Sequence, residues 1–246
     1  MTQAPFEGQS GTVAPLANVG LCHQAVQQVM DRPGHLPGMI TFYGPSGYGK
    51  STAAAYTANK TRAYYIQCMS SWTRKALLQA VLREMGLTPH KTLYEMTEQI
   101  AEQLVVTGRP LIIDEVDHIV SKSAVEIIRD LYEGSNAPIL LIGEERLPHR
   151  LQQWERFHNR MLDWVAAQPA SIEDTRHLAR LYAPGVTIAE DLLGRIQEVS
   201  RGSVRRVCVN IEQVRAEAQQ LGRTEMDLQA WGRRELFSGE PPKRRV

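Results

Sequence analysis

Cysteine is scarce: the 246 residues hold three, Cys22, Cys68 and Cys208, far apart and without a CxxC pair. That spacing excludes a disulfide framework and a cysteine zinc site, and leaves three small, buried or half-buried apolar residues. The seven histidines form no HExxH motif. His118, beside an acidic cluster, reads as a structural group and not a metal ligand. No apolar run reaches the length of a membrane span, so no membrane partner is expected. No basic segment leading into an apolar stretch opens the chain, and a cytoplasmic protein is expected. Net charge is also nearly absent, at a formal +1, so no strong field of one sign covers the whole molecule.

What is present is the composition of a packed globular protein, 43% hydrophobic and 22% charged, long enough for one α/β core and a smaller appended domain. Charge is unevenly spread. Lys60, Arg62, Arg74, Lys75, Arg83 and Lys91 face a single acid, Glu84, over residues 60–91, and the chain ends in Lys243-Arg244-Arg245. Residues 1–15 read as a loose arm. Asn18 is placed to cap a helix running to about Met30. After the breakers Pro33, Gly34, Pro37 and Gly38, the apolar run Met39–Tyr43 reads as a strand. Further strands are expected over Tyr64–Cys68, Leu111–Ile113 and Pro138–Ile142. Helices are expected over Thr73–Met85, Leu93–Val106 and Ser123–Tyr132. Strands alternating with helices imply a parallel sheet covered on both faces. Past about Gln168 the strand signals stop, and Ser171–Tyr182, Ala189–Val199 and Ser203–Gln219 read as helices. The expected organisation is therefore an arm (1–15), an α/β core (16–168), a small all-helical lid (169–236) and a basic tail (237–246).

Gly44-Pro45-Ser46-Gly47-Tyr48-Gly49-Lys50-Ser51-Thr52 follows the first strand and opens a helix. This is the strand–loop–helix setting of a phosphate-binding P-loop. Glycines let successive N–H groups curl towards one anion, and the helix N-terminus adds its positive end. Lys50 supplies a point charge to β/γ-phosphate oxygens, and Ser51 supplies a hydroxyl for Mg²⁺. About sixty residues on, Leu111-Ile112-Ile113-Asp114-Glu115 ends a buried strand in two carboxylates. Side by side they repel unless a cation is bound. We read Asp114, at the tip of a strand beside the P-loop strand, as the metal-shell residue and Glu115 as the base that polarises a water. Asp117 reads as a loop or capping residue.

On GPSGYGKST, LIIDEVDH, the strand PILLIG and a helical tail, the chain resembles the AAA+ ATPases over most of residues 15–220. The resemblance implies a P-loop AAA+ core with a helical lid, ATP and Mg²⁺ as cofactors, and ATP hydrolysis, slow and stimulated by DNA or oligomerisation. It implies that Asn18 and Val19 complete the nucleotide site. It places a polar sensor just after the fourth strand, where Glu144 stands in place of the usual Asn, Thr or Ser. It places an arginine finger in Arg156–Arg160, with Arg160 favoured and Arg156 or Arg146 as alternatives. A second sensor is placed at Arg205, with Arg206 as its alternative. Within AAA+, LANVGLCHQAV ahead of the P-loop, DEVDHI, and LLIGEERL followed by RFHNRM are similar to the B-type DNA transposition proteins of Mu-like phages, to transposon target-selection ATPases and to origin-recognition relatives. That branch implies an ATP-dependent filament on duplex DNA that stimulates a transposase, in the host cytoplasm if phage-encoded. About fifteen residues precede the first helix, so the extra N-terminal DNA-binding domain of the Mu-phage protein is expected to be absent.

Residue chemistry offers an independent pointer to DNA. Arg74 and Lys75 sit in a first helical turn, where the dipole disfavours cations by ~0.3–1 kcal/mol each. Ser70, Ser71, Trp72 and Thr73 lie beside them. A helix start aimed at a phosphate tolerates cations that bind the same phosphate. Arg74 and Lys75, helped by Lys60, Arg62 and the tail, are the expected DNA contacts; a solvated charged surface is the alternative. A helicase-loader or replication ATPase, a secretion-associated ATPase, a small-molecule phosphotransferase and a non-enzymatic ATP switch are the competing functions.

Overall fold

A computed structural model describes residues 13–120 and 124–240. Most of the expected arm, the end of the basic tail and the first residue of the helix expected over Ser123–Tyr132 lie outside the described residues. Two compact units result, Asn18–Gln168 and, separately, residues 169–240 with 13–17.

In the first unit five strands form one sheet: β1 (Met39–Tyr43), β2 (Tyr64–Gln67), β3 (Leu111–Asp114), β4 (Ile139–Gly143) and β5 (Met161–Ala166). All neighbours pair in parallel, in the order β2-β3-β4-β1-β5. The near-continuous apolar runs of β1, β3 and β4 suit strands buried on both faces. Alternation then sorts the side chains. Met39, Leu111, Ile113, Ile139 and Leu141 face one core with α3 (Arg74–Glu84), α4 (Leu93–Thr107) and α6 (Val125–Ser135). Ile40, Ile112 and Leu140, matched in register, turn to the other face and are equally buried. There α2 (Lys50–Thr61) packs on β2 and β3, and Cys22 of α1 (Ala17–Met30) lies near Asp114. Each such fully buried Leu or Ile contributes about 1.5–3 kcal/mol through removal of apolar surface from water. Local chemistry sets the ends of α4: Thr92 and Glu95 form a capping box, and Gly108 closes the helix at φ 62°. Short helices α5 (Asp117–Val120), α7 (Leu147–Gln152) and α8 (Glu155–His158) complete the unit.

Four expectations need correction. β5 was not foreseen: its residues are half-buried, and Asp163 interrupts the apolar pattern of an edge strand. β3 is not beside β1, because β4 pairs with both, and the P-loop and Asp114 therefore sit two strand spacings apart, about 10 Å. Asn18 does not cap α1. It is the helix's second residue and its side chain is turned to the P-loop. The second unit is not wholly helical. Helices α9 (Ile172–Tyr182), α10 (Glu190–Ser200), α11 (Val204–Gln220) and α12 (Leu228–Trp231) are joined by a two-residue parallel ladder between β6 (Thr187–Ile188) and β7 (Glu225–Met226). Among the described residues no helix is long and apolar enough to cross a membrane.

Candidate functional site

The C-terminal ends of β1, β4 and β3 meet on one edge of the sheet and carry the P-loop, Glu144 and the Asp114–Glu115 pair respectively. Ligands in open α/β sheets bind at this edge. Gly47 and Gly49 hold φ near 86° and 80°, a left-handed conformation that costs an L side chain about 1 kcal/mol and glycine almost nothing. No side chain caps the N-terminus of α2, so its first-turn N–H groups are available to an anion. The loop is framed on both sides. Gly44 N–H donates to Gly143 O (3.3 Å), and Ala167 N–H donates to Tyr43 O (2.7 Å). The Asn18 amide donates to Tyr48 O (2.9 Å) and Gln168 O (2.8 Å) and accepts from Gln168 N–H (2.8 Å). Asn18 thus ties α1 to the loop with its amide engaged by protein, and Val19 is buried beside it.

Lys50 Nζ donates to Gly44 O (2.7 Å) and Pro45 O (2.9 Å). Burial lowers its pKa, opposed by the carboxylates of Asp114, Glu115, Glu144 and Asp117. The charges of four acids therefore act on one ammonium. Asp114 is buried; its Oδ1 accepts from Glu115 N–H (2.8 Å) and its Oδ2 from the Tyr65 hydroxyl (3.0 Å). Glu115 takes φ 55°, a strained conformation for a non-glycine residue that clusters at functional sites. Its pKa is raised, first by burial and then by Asp114, with His118 and Lys50 pulling the other way. A hydroxyl at Ser51 and one buried carboxylate at Asp114 are oxygen ligands of the kind Mg²⁺ takes from protein, and the N–H groups around Lys50 suit the phosphate oxygens that would complete its shell. The donor set fits a magnesium-bound phosphate ester.

Asp117 is the first residue of α5, and its side chain is turned to partners outside that helix. It is buried, accepts Glu144 N–H (2.6 Å) and pairs with Arg150 (2.9 Å), which also donates to the Asp117 carbonyl (2.9 Å). A Cβ added at Gly143 would fall 2.2 Å from Asp117 Oδ2, so only glycine leaves room for this carboxylate. Asp117→Ala should lower unfolding free energy by about 2 kcal/mol, because the Glu144 N–H and a part-exposed guanidinium lose their acceptor. Urea unfolding checks this, and Asp117→Asn should lose less. Arg150, Gly143 and Tyr65 were not recognised in the sequence; each acts on a partner remote in the chain, and no local pattern marks it.

The other expected site residues are spread wider. Arg160 lies at the opposite edge of the sheet, where its carbonyl accepts Met39 N–H (3.2 Å), and its guanidinium is paired with Glu133. With Arg129, Arg156 and Asn159 it lines an open groove of about 420 Å³. Arg205 is exposed in the first turn of α11, in the second unit. Arg74 and Lys75 are exposed at the start of α3, which Thr73 caps by accepting Ala76 N–H (3.3 Å). Lys75 Nζ donates to Lys91 O (3.3 Å). Lys60 and Arg62 end α2 at the N-terminal edge of β2, whereas Arg74 and Lys75 follow its C-terminal edge, so the four form two groups.

Comparison with known proteins supports this geometry. The AAA domain family matches residues 34–151. No curated protein sequence matches the chain. Among solved structures, the ORC2 protein of Aeropyrum pernix in its ADP form superposes with a TM-score of 0.66 at 16% identity, covering 89% of this chain and 68% of that one. Cdc6p from Pyrobaculum aerophilum gives 0.64 at 16% identity, covering 89% and 66%. The A. pernix ORC1 protein in complex with DNA gives 0.62 at 14% identity, covering 85% and 62%. The chain thus spans about two thirds of the length of these proteins, and at such identities the likeness is one of fold. Residues 34–151, with the P-loop and the Asp114–Glu115 pair inside them, match the AAA domain family and lie in an α/β core with the fold of the ORC and Cdc6 proteins.

Proposed function

We propose that the chain is an ATP-dependent, sequence-nonspecific DNA-binding ATPase that assembles on target DNA and stimulates a transposase. The observation that supports nucleotide chemistry is the meeting of the P-loop, Lys50, Asp114 and Glu115 at one sheet edge. In this reading Gly44–Thr52 wrap the phosphates, Lys50 leaves its loop carbonyls for the β/γ oxygens, and Ser51 with Asp114 holds Mg²⁺. When bound, Mg²⁺ neutralises charge on the phosphate oxygens. Glu115 takes a proton from the attacking water. The resemblance to AAA+ ATPases gives Arg205 the role of second sensor. Arg160, a strand length of about 16 Å from its own P-loop edge, leaves Glu133 to serve the nucleotide of a neighbouring copy.

The motif-level resemblance to transposition ATPases supports the transposase role. The fold of the ORC and Cdc6 proteins favours a second reading, a replication-type ATPase loaded on DNA. The separating experiment measures ATP turnover with and without duplex DNA, with electron microscopy for filaments. DNA-stimulated turnover in filaments, and added turnover of a transposase reaction, are expected; monomeric, DNA-independent behaviour removes the transposition reading. In the same assay Arg74→Ala with Lys75→Ala should flatten the slope of log affinity against log salt by about 2, since each phosphate contact contributes about 0.9. An unaltered slope clears both residues.

A further inference from the structure

The Tyr65 hydroxyl bonds the Asp114 carboxylate, and nothing in the motif requires it. In the parallel pairing of β2 and β3, Tyr65 stands opposite Ile112 and Gln67 opposite Asp114. Paired residues share a face, so Tyr65 lies on the same face as Asp114 and two residues below it, and its long side chain rises to Asp114 Oδ2 at 3.0 Å. The other oxygen is taken by Glu115 N–H at 2.8 Å. A carboxylate has about four acceptor positions. Two donors on two different oxygens define its plane and leave one lone pair free on each.

We infer that Tyr65 is a positioning residue for the metal shell, holding the Asp114 carboxylate in the orientation that Mg²⁺ meets beside a bound nucleotide. Three observations carry this. First, carboxyl torsions are broad and unhindered, so among the described residues, without the phenol, the Glu115 N–H alone donates to the Asp114 carboxylate. Secondly, Asp114 is buried and its charge acts on Lys50, yet among the described residues Lys50 makes no ion pair with it and bonds the carbonyls of Gly44 and Pro45 instead. Donors from Tyr65 and Glu115 keep the carboxylate for the cation and the ammonium for the phosphates. Thirdly, Tyr65 reaches Asp114 from β2, the edge strand of the sheet and not the strand that carries the P-loop, and lines an open groove with Asn59, Arg62, Glu84 and Arg109. It is therefore anchored independently of the P-loop. Partners that orient a metal-binding group typically contribute 10- to 100-fold to metal affinity.

The inference rests on the nucleotide reading, and the test separates the two. Protein saturated with ADP is titrated with Mn²⁺, and free Mn²⁺ is followed by electron paramagnetic resonance. A fluorescent ADP analogue is titrated separately in EDTA. Tyr65→Phe should weaken Mn²⁺ about tenfold or more while metal-free ADP binds as in wild type. In an Asp114→Asn background, Tyr65→Phe should weaken Mn²⁺ no further. Wild-type Mn²⁺ affinity in Tyr65→Phe, an additive loss in the Asp114→Asn background, or an equal loss of metal-free ADP affinity would each overturn the positioning role while leaving the nucleotide reading intact. Failure of wild type to take up ADP would remove both.

Discussion

Lys50→Ala should lose nucleotide affinity by roughly 100-fold or more while melting no lower than wild type in the absence of nucleotide. The two halves of this result have one cause. Burial disfavours the Lys50 ammonium in the folded protein more than the four surrounding carboxylates favour it. A lysine whose folded pKa is lowered does not stabilise the fold in its charged form. Removing it lifts that burden at the first position of α2, where the helix dipole also disfavours a cation. Under the proposed reading bound phosphate reverses the sign, because the same ammonium then makes charge-assisted contacts to phosphate oxygens. Removing such a partner costs about 3 kcal/mol, or roughly 100-fold in affinity. Thermal melts with and without ATP–Mg²⁺ read both halves: the nucleotide-induced rise should vanish, as should assembly in ATP. A variant that melts lower without nucleotide and keeps the rise would make Lys50 a structural residue.

Glu115→Gln should keep nucleotide and lose turnover by about 10²- to 10⁴-fold, the usual contribution of a positioned general base. Glutamine preserves side-chain length and the contacts of the strained backbone, whose N–H and carbonyl are held by Asp114 Oδ1 and His118 N–H. The strain at φ 55° is therefore common to both proteins, and the change isolates one proton acceptor. The raised pKa of Glu115, set first by burial and next by Asp114, brings its proton affinity nearer to that useful in neutral solution. Glutamine also removes one of two adjacent negative charges, so nucleotide should bind at least as tightly as to wild type. Single-turnover hydrolysis with radiolabelled ATP measures the loss; normal turnover would remove Glu115 as the base.

The strands that were legible in the sequence are those whose burial leaves no choice. Ile112–Ile113 and Leu140–Leu141 are covered on both faces, and continuous apolar runs record that directly. The P-loop and the Asp114–Glu115 pair were legible because phosphate and metal chemistry admit few residue types at fixed spacing. Met161–Ala166 was not, because an edge strand half in water reads like a loop. Nor was the sheet order. That β4 enters between β3 and β1 follows from crossover packing over whole helices, which leaves no trace in any short window. Tyr64 and Tyr65 are chemically identical neighbours; only register decides that the second meets Asp114 while the first accepts Gln103 Nε2 (3.3 Å). Arg150 finds Asp117 across 33 positions of chain, and an arginine in a polar segment carries no mark of that partner.

Arg160 and the P-loop occupy opposite rims of one sheet. No motion of a single side chain spans that distance, so under the proposed reading a lone copy can hold nucleotide and still lack a guanidinium to act on it. Dilution would then uncouple occupancy from turnover, making the enzyme's clock a matter of crowding along a polymer and not of how much ATP surrounds it.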